Sequence, residues 1–262
     1  MPLANAGCGD TTVKAFNPLL RACGTPGNVL RIDVVEQLLT AMAAKDGRRL
    51  PRLEVPMSLA ATEGAFALAG GWHPFVAAIR DGPGVLARFY GGYQPASLAE
   101  LYGLAGVDRQ LGPRQLPWLP PPRGYRGEMG LGPDHGLSLF GPCTDEKVAL
   151  EEARLTRIVA SITGRGYLPD WFGDITGYFL MRQDEFRFVV RGGKHRSAAL
   201  AALGWAHLPV RLKPGWEPVV SLETLGEWPL VRSGAIPAPQ ARRVFERYFE
   251  WNGTQQHRRI AP

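Results

Sequence analysis

The residues best suited to chemistry form one short basic segment in the second half of the chain. The segment consists of Gly192, Gly193, Lys194, His195, Arg196 and Ser197. Paired glycines permit positive φ angles and let a ligand approach bare backbone. The alanine-rich residues that follow predict a helix whose first N–H groups have no intrahelical partner. Backbone amides and cationic side chains at one point favour an anionic ligand, such as a phosphate or a carboxylate.

A plainer alternative exists for this basic segment. It could be a strand-to-helix connection whose charged side chains are simply solvated. The segment lacks the Gly-x-x-x-x-Gly-Lys-Ser/Thr pattern of a phosphate loop, and paired glycines alone are a weak signal. Residues 191–213 nevertheless contain five Lys or Arg and no acid. This local excess of positive charge favours the anion-binding interpretation.

The elements that must position the segment are helices and strands, which predicts an α+β fold. An apolar stripe with helical spacing, preceded by Thr144 as a cap, predicts a long helix. Alternating apolar residues predict strands on both sides of the segment, and amphipathic spacing predicts a helix near the C-terminus. The predictions are a helix from Thr144 to Ile162, a strand over 175–181, a turn at Gln183-Asp184, strands over 186–190 and 207–212, and helices over 197–203 and 239–251.

The first half of the chain contains no motif that indicates a particular chemistry. After an irregular lead-in (1–28), helical spacing predicts helices over 32–45, from Pro74 to Tyr90 with a break at 81–84, and over 98–104. Glycine and proline crowd the stretch 112–142, which cannot sustain a helix or a central strand. Its large apolar residues favour an ordered loop, with a disordered linker as the alternative.

The basic segment, followed by Leu203-Gly204 and Leu208-Pro209-Val210, resembles the signature of the ParB/sulfiredoxin superfamily. The resemblance covers about residues 144–213. It implies a small mixed-sheet domain whose glycine turn holds nucleotide phosphates. Members of the superfamily include chromosome-partition proteins that bind CTP and DNA, sulfiredoxins, and kinases of free serine. The resulting organisation is a mainly helical N-terminal region (1–110), a Pro/Gly-rich loop (111–143), a ParB/sulfiredoxin-like domain (144–215) and a C-terminal extension with a helix (216–262).

Departures from the superfamily pattern reduce the number of candidate functions. Lys194 stands where sulfiredoxins carry the cysteine that acts as nucleophile. Partition proteins have a Gly-Glu-Arg-Arg turn and a downstream helix-turn-helix domain, which we do not expect in the residues after 213. The resemblance therefore implies a protein that binds ATP or CTP with Mg²⁺ and transfers a phosphoryl group to a small molecule, or hydrolyses the nucleotide.

In that interpretation the basic segment binds phosphate, and its cations neutralise the charge that develops in transfer. The expected catalytic candidates are Glu151, Glu152, Asp174 and His195. The plainer alternative for Glu151 and Glu152 is a solvated helix face, with Glu151 paired to Arg154. For Asp174 it is an ordinary turn or capping role. We expect no protein metal site, because no histidines show the spacing of zinc ligands.

Composition limits the remaining possibilities. The 262 residues carry 30 Lys and Arg against 24 Asp and Glu, a net charge of +6 that favours phosphate-bearing partners. Nucleic acid remains possible, so the alternative function is a DNA-associated or regulatory module without catalysis. A third interpretation makes residues 30–110 a helical domain that binds a partner. No stretch reaches about 18 apolar residues, so no membrane span is expected. Three widely separated cysteines favour reduced thiols in the cytoplasm.

Overall fold

The computed structural model describes residues 29–33, 36–37, 52–105, 111–120, 127–212 and 217–260. One mixed sheet joins the described strands in the order β1-β2-β7-β5-β6-β3-β4, and β8 pairs with β5 beyond the end of β7. The strands are β1 (Val29–Arg31), β2 (Arg52–Pro56), β3 (Ala60–Thr62), β4 (Phe66–Ala67), β5 (Ile175–Arg182), β6 (Glu185–Gly192), β7 (His207–Leu212) and β8 (Val219–Ser221). Helices and a mixed sheet in one chain confirm the predicted α+β class.

Helices cover the sheet and connect its strands. They are α1 (Pro74–Asp81), α2 (Val85–Gly92), α3 (Leu98–Tyr102), α4 (Asp145–Arg165), α5 (Pro169–Phe172), α6 (Lys194–Ala202), α7 (Pro229–Arg232), α8 (Ala238–Glu250) and α9 (Thr254–His257). The helix α6 contacts both α1 and α4 and also touches β5, β6 and β7. Among the residues described, no helix has the length and apolar character needed to cross a membrane.

The antiparallel hairpin β5–β6 forms the centre of the sheet, as the alternating apolar residues predict. Phe188 and Val190 are buried within it. The register shifts between Thr176 and Gly177, where the backbone of β6 comes very close. A Cβ atom at Gly177 would lie 2.0 Å from the carbonyl oxygen of Val189, so this position requires glycine.

Most predicted helices are confirmed. The break between α1 and α2 falls at Gly82–Gly84, and the Ser97 side chain caps α3 by accepting a hydrogen bond from the Glu100 amide. The Thr144 side chain caps α4 in the same way. The helix after the glycine turn begins earlier than expected, at Lys194, with Gly193 as its N-cap.

Over its described residues the N-terminal region contains strands as well as the expected helices, and these strands were not predicted from the sequence. It supplies β1 to β4, and β2 and β3 pair with β7 and β6 in the same sheet. These strands are short and show little alternation of apolar and polar residues. Their extended conformation therefore depends on pairing with strands that are distant in sequence. The expected lead-in (1–28) lies outside the described residues. So does most of the expected helix 32–45, of which only Glu36 and Gln37 are described as helical.

The loop and the C-terminal residues pack onto this sheet. Trp118 is buried and its indole N–H donates to the Tyr178 hydroxyl at 3.0 Å. Near the C-terminus, the Gln256 amide donates to the carbonyl oxygen of Gly64 at 2.7 Å, next to β3. The segments expected to be a loop and an extension therefore belong to the same hydrophobic core as the sheet.

Candidate functional site

A cleft of about 910 Å³ opens beside the glycine turn. Four parts of the chain line it: the inner face of α4, residues 166–172, the β6–α6 turn, and the loop that carries Glu128 and Ser138. A volume of this size lies within the range of about 300–1,000 Å³ that is typical of small-molecule sites. The cleft could therefore hold a ligand as large as a nucleotide.

The glycine turn directs the start of α6 toward this cleft. Gly193 has a φ of 82° and forms the N-cap of α6, where no side chain supplies a capping hydrogen bond. A Cβ atom there would lie 3.3 Å from the Cα atom of Ile175. The first N–H groups of a helix have no intrahelical partner and carry partial positive charge. Gly193, Lys194, His195 and Arg196 all line the cleft, so the start of α6 borders the space that a ligand would occupy.

Among the charged side chains that line the cleft, positive ones are in the majority. Glu128 is the one acid among the described lining residues. The seven basic ones are Arg114, Arg154, Arg157, Arg165, Arg191, Lys194 and Arg196. Arg154, Arg157 and Arg165 form one stripe of α4, at helical spacing. Arg154 and Arg157 are exposed, and neither forms an ion pair with the residues described. Sequence analysis missed this stripe, although its spacing is visible in the printed chain.

Two cations of the turn already have protein partners. The guanidinium of Arg196 donates to the carbonyl oxygens of Phe172, Gly173 and Asp174, which ties residues 172–174 to the start of α6. The Lys194 ammonium lies 3.0 Å from the Glu63 carboxylate, which also contacts Arg191 at 3.2 Å. Sequence reasoning did not single out Glu63.

Glu63 is a buried carboxylate beside the cationic turn. Burial opposes ionisation of Glu63, but the charges of Lys194 and Arg191 outweigh that effect and lower its pKa. The ion pairs hold Lys194 and Arg191 at the base of the cleft.

His195 does not supply the positive charge expected of it. Its ring stacks on Phe75 with centroids 4.6 Å apart, and its Nε2 atom is buried without a hydrogen-bond partner. Burial, together with the nearby charge of Arg154, lowers the pKa of His195 to about 3. The imidazole is therefore neutral at physiological pH, and the positive charges of the turn are those of Lys194 and Arg196.

The other two predicted binding residues do not line the cleft. Gly192 ends β6, where a Cβ atom would lie 2.4 Å from the Thr176 hydroxyl oxygen. Ser197 is buried, and its hydroxyl donates to the Lys194 carbonyl at 2.8 Å. Both residues therefore stabilise the conformation of the turn and do not border the cleft.

The three carboxylates proposed as catalytic lie outside the cleft lining. Glu152 accepts a hydrogen bond from the Gly84 amide at 3.2 Å. Asp174 contacts Arg52 at 2.6 Å and Arg211 at 3.0 Å, in an ion-pair cluster that also contains Asp170. Neither arrangement leaves the carboxylate aimed at the glycine turn.

Glu151 does not lie on a solvated helix face, and it does not pair with Arg154 as the plainer alternative expected. It is completely buried, accepts a hydrogen bond from the Tyr90 hydroxyl at 2.5 Å, and contacts the Ser138 hydroxyl. Burial raises the pKa of Glu151, against the opposing effect of these hydrogen bonds. Its position three residues after Val148 and four before Leu155 places it within the apolar stripe of α4.

Glu128 is the carboxylate that does line the cleft, and sequence reasoning missed it. One of its oxygens accepts from the Ser138 hydroxyl at 2.5 Å and from the buried Lys147 ammonium at 2.9 Å. Burial disfavours its charge, but the bonds from Ser138 and Lys147 prevail and lower its pKa to about 2. Glu128 is therefore an ionised, firmly held carboxylate among cations.

Comparison with protein-family models, curated proteins and solved structures finds no significant match to this chain. Over the described part of the chain, no group of three or more His, Cys, Asp or Glu side chains is arranged to hold a metal ion. The cleft itself, with its cationic wall, its glycine turn and one carboxylate, is the strongest candidate site.

Proposed function

We propose that this cleft binds the phosphate groups of a nucleotide, ATP or CTP, and transfers a phosphoryl group to a small molecule or to water. One observation carries the proposal: the start of α6 and the Arg154–Arg157 stripe face the same cleft. Backbone amides at a helix start and arginine guanidinium groups are both good hydrogen-bond donors to phosphate oxygens. Phosphoryl transfer depends mainly on positioning and on charge stabilisation, which such a site supplies.

In this proposal each described residue of the cleft has a separate role in phosphate binding or phosphoryl transfer. The amides of Lys194, His195 and Arg196 hold phosphate oxygens, and Arg154 and Arg157 neutralise charge from the opposite wall. Glu128 orients the hydroxyl group or water that attacks. Mg²⁺ usually keeps several waters and binds through phosphates and one or two carboxylates, so one nearby carboxylate, Glu128, suits it. Bound with the nucleotide, the ion would screen the phosphate charge.

A ParB/sulfiredoxin-like domain remains part of this proposal. Support comes from the sequence β6, glycine turn, α6 and β7, which follows the order that the superfamily signature implies. The alternative, a DNA-associated module, has weaker support from the described surface. The arginines of the C-terminal helix α8 lie close to acids, with Arg242 4.0 Å from Glu246 and Arg247 2.8 Å from Glu250. Such paired charges offer little net attraction to a duplex.

Calorimetric titration with nucleotides tests the proposal. Wild-type protein, with Mg²⁺, should bind ATP or CTP, and the double variant Arg154→Gln/Arg157→Gln should bind at least about tenfold more weakly, the equivalent of about 1.4 kcal/mol. The matched control is Arg242→Gln/Arg243→Gln, which removes the same charge from exposed positions of α8. Equal losses in both double variants, or no nucleotide binding by the wild type, would refute a specific phosphate site.

Turnover and DNA binding separate the two functional classes. An enzyme should release ADP, CDP or inorganic phosphate in the presence of Mg²⁺. Glu128→Gln should abolish most of that release and should weaken nucleotide binding less than Arg154→Gln/Arg157→Gln does. A DNA-binding module would instead retard duplexes with an affinity that falls steeply as salt increases. Duplex retardation without nucleotide binding would reverse the assignment.

A further inference from the structure

Two consecutive aromatic side chains, Trp171 and Phe172, are exposed to solvent, and the second of them borders the cleft. Trp171 is 84% exposed and Phe172 is 55% exposed, whereas most large apolar side chains of the described chain are buried. Phe172 also lines the cleft. We call this pair the aromatic lip. Exposed large aromatic groups beside a cavity need an explanation, because their burial is otherwise favourable.

The aromatic lip is held at a fixed position relative to the glycine turn. The Arg196 guanidinium donates to the backbone carbonyls of Phe172, Gly173 and Asp174. Gly193, the N-cap of α6, lies three residues before Arg196 in the same turn. One side chain therefore links the proposed phosphate site to the backbone that carries the lip.

Charge next to the lip indicates what kind of group it receives. The Arg165 guanidinium lies 5.6 Å from the centroid of the Phe172 ring, and its Nη2 atom donates to Ser161 at 2.9 Å. Arg165 and Arg196 both line the cleft. An apolar protein segment or lipid chain gains nothing from two guanidinium groups beside the ring. A flat aromatic group attached to an anion gains from both, by stacking and by charge.

We infer that Phe172 stacks against the base of the nucleotide. The inference rests on the proposed function, because the phosphates on the glycine turn bring the base to the lip. Stacking on an aromatic ring does not distinguish one base from another. The aromatic lip therefore selects nucleotides over inorganic polyphosphates and sugar phosphates.

The test compares binding of nucleoside triphosphate with binding of inorganic triphosphate, both with Mg²⁺, by calorimetry. The wild type should bind ATP or CTP about tenfold or more tightly than inorganic triphosphate. Phe172→Ala should lower nucleotide affinity about tenfold and leave triphosphate affinity unchanged, since one base stack contributes a factor of this order. Phe172→Tyr, which keeps the ring, should retain nucleotide affinity. Leu203→Ala, at another exposed apolar position, is the control variant.

The outcomes separate this inference from the proposed function. If the wild type binds both ligands equally and Phe172→Ala changes neither affinity, base stacking is refuted while the phosphate site stands. If neither ligand binds, the proposed function fails first. Self-association that Phe172→Ala abolishes, with nucleotide affinity unchanged, would assign the aromatic lip to a second copy of the chain. Binding to neutral phospholipid vesicles that the same variant abolishes would assign it to a membrane surface, and either result overturns the inference.

Discussion

Substitution of Glu151 tests the hydrogen-bond network that joins the core to the cleft. The Tyr90 hydroxyl accepts from the Leu139 amide at 3.1 Å, so its own proton is directed to Glu151. The Ser138 hydroxyl has one proton but contacts oxygens of both Glu128 and Glu151. Both contacts are hydrogen bonds only if one acid carries a proton. Glu151 is fully buried and its pKa is raised, whereas the pKa of Glu128 is lowered, so we predict that the shared proton resides on Glu151.

This protonation state predicts a large difference between two substitutions. Glu151→Gln keeps the donor to Ser138 and the acceptor for Tyr90, so it should change the free energy of unfolding by less than about 1 kcal/mol at pH 7. Glu151→Ala leaves the Tyr90 O–H without an acceptor and creates a cavity. Together these effects should cost about 2–4 kcal/mol.

The pH dependence gives a second, independent readout. The folded state keeps the proton of Glu151 at pH values where the unfolded chain, with an ordinary pKa of 4.5, releases it. Stability of the wild type is therefore lost as pH rises above about 4.5, with a slope of up to about 1.4 kcal/mol per pH unit. Glu151→Gln cannot titrate and should lack this component.

Urea unfolding from pH 4.5 to 8 measures both effects, with nucleotide turnover as the check on function. A Gln variant as unstable as the Ala variant at pH 7, or one that keeps the wild-type pH dependence, would show that Glu151 is ionised. A stable Glu151→Gln variant without turnover would return Glu151 to a catalytic role.

Three further predictions concern the turn and its neighbours. Gly193→Ala should destabilise the fold by about 1–2 kcal/mol in urea unfolding and weaken nucleotide binding, because a positive φ and the close Ile175 backbone oppose a side chain; an unchanged affinity would contradict this. Arg196→Ala should release residues 172–174, detected as faster amide hydrogen exchange there than in wild type, and should abolish turnover. The pKa values of His73 and His195 are lowered to about 3 by burial, so these neutral rings stabilise the fold above pH 6.5 and that stability is lost as pH falls toward 3. The expected loss is on the order of 2 kcal/mol per histidine at pH 5, and His195→Phe should remove its share in unfolding measured at pH 5 and 7.

Local sequence signals predicted the elements around the glycine turn well. Thr144 as a cap and Gln183-Asp184 as a turn depend on neighbouring residues alone, so α4 and the β5–β6 hairpin could be recognised. The strands β2 and β3 could not, because Ala60 and Ala61 form a strand only where β6 lies beside them. Propensity in such short strands is overridden by tertiary pairing.

The sequence was sufficient to predict the glycine turn of the site, but not the positions of its carboxylates. Gly193 and Lys194 stand out from residue type alone. Glu128 lies in an irregular loop, and no periodicity tells which way such a residue faces. Glu151 offered a readable signal, since an acid within an apolar stripe must be buried with partners. The identity of those partners, Tyr90 and Ser138, depends on segments that are distant in sequence.

The central claim is that the amides at the start of α6 hold phosphate, and amide NMR spectra measure this directly. Inorganic triphosphate added to isotope-labelled protein should shift the N–H resonances of Lys194, His195 and Arg196 downfield in a saturable manner, together with the side-chain signals of Arg154 and Arg157. Saturable shifts confined to other parts of the chain, or no shift at millimolar triphosphate, would contradict the account.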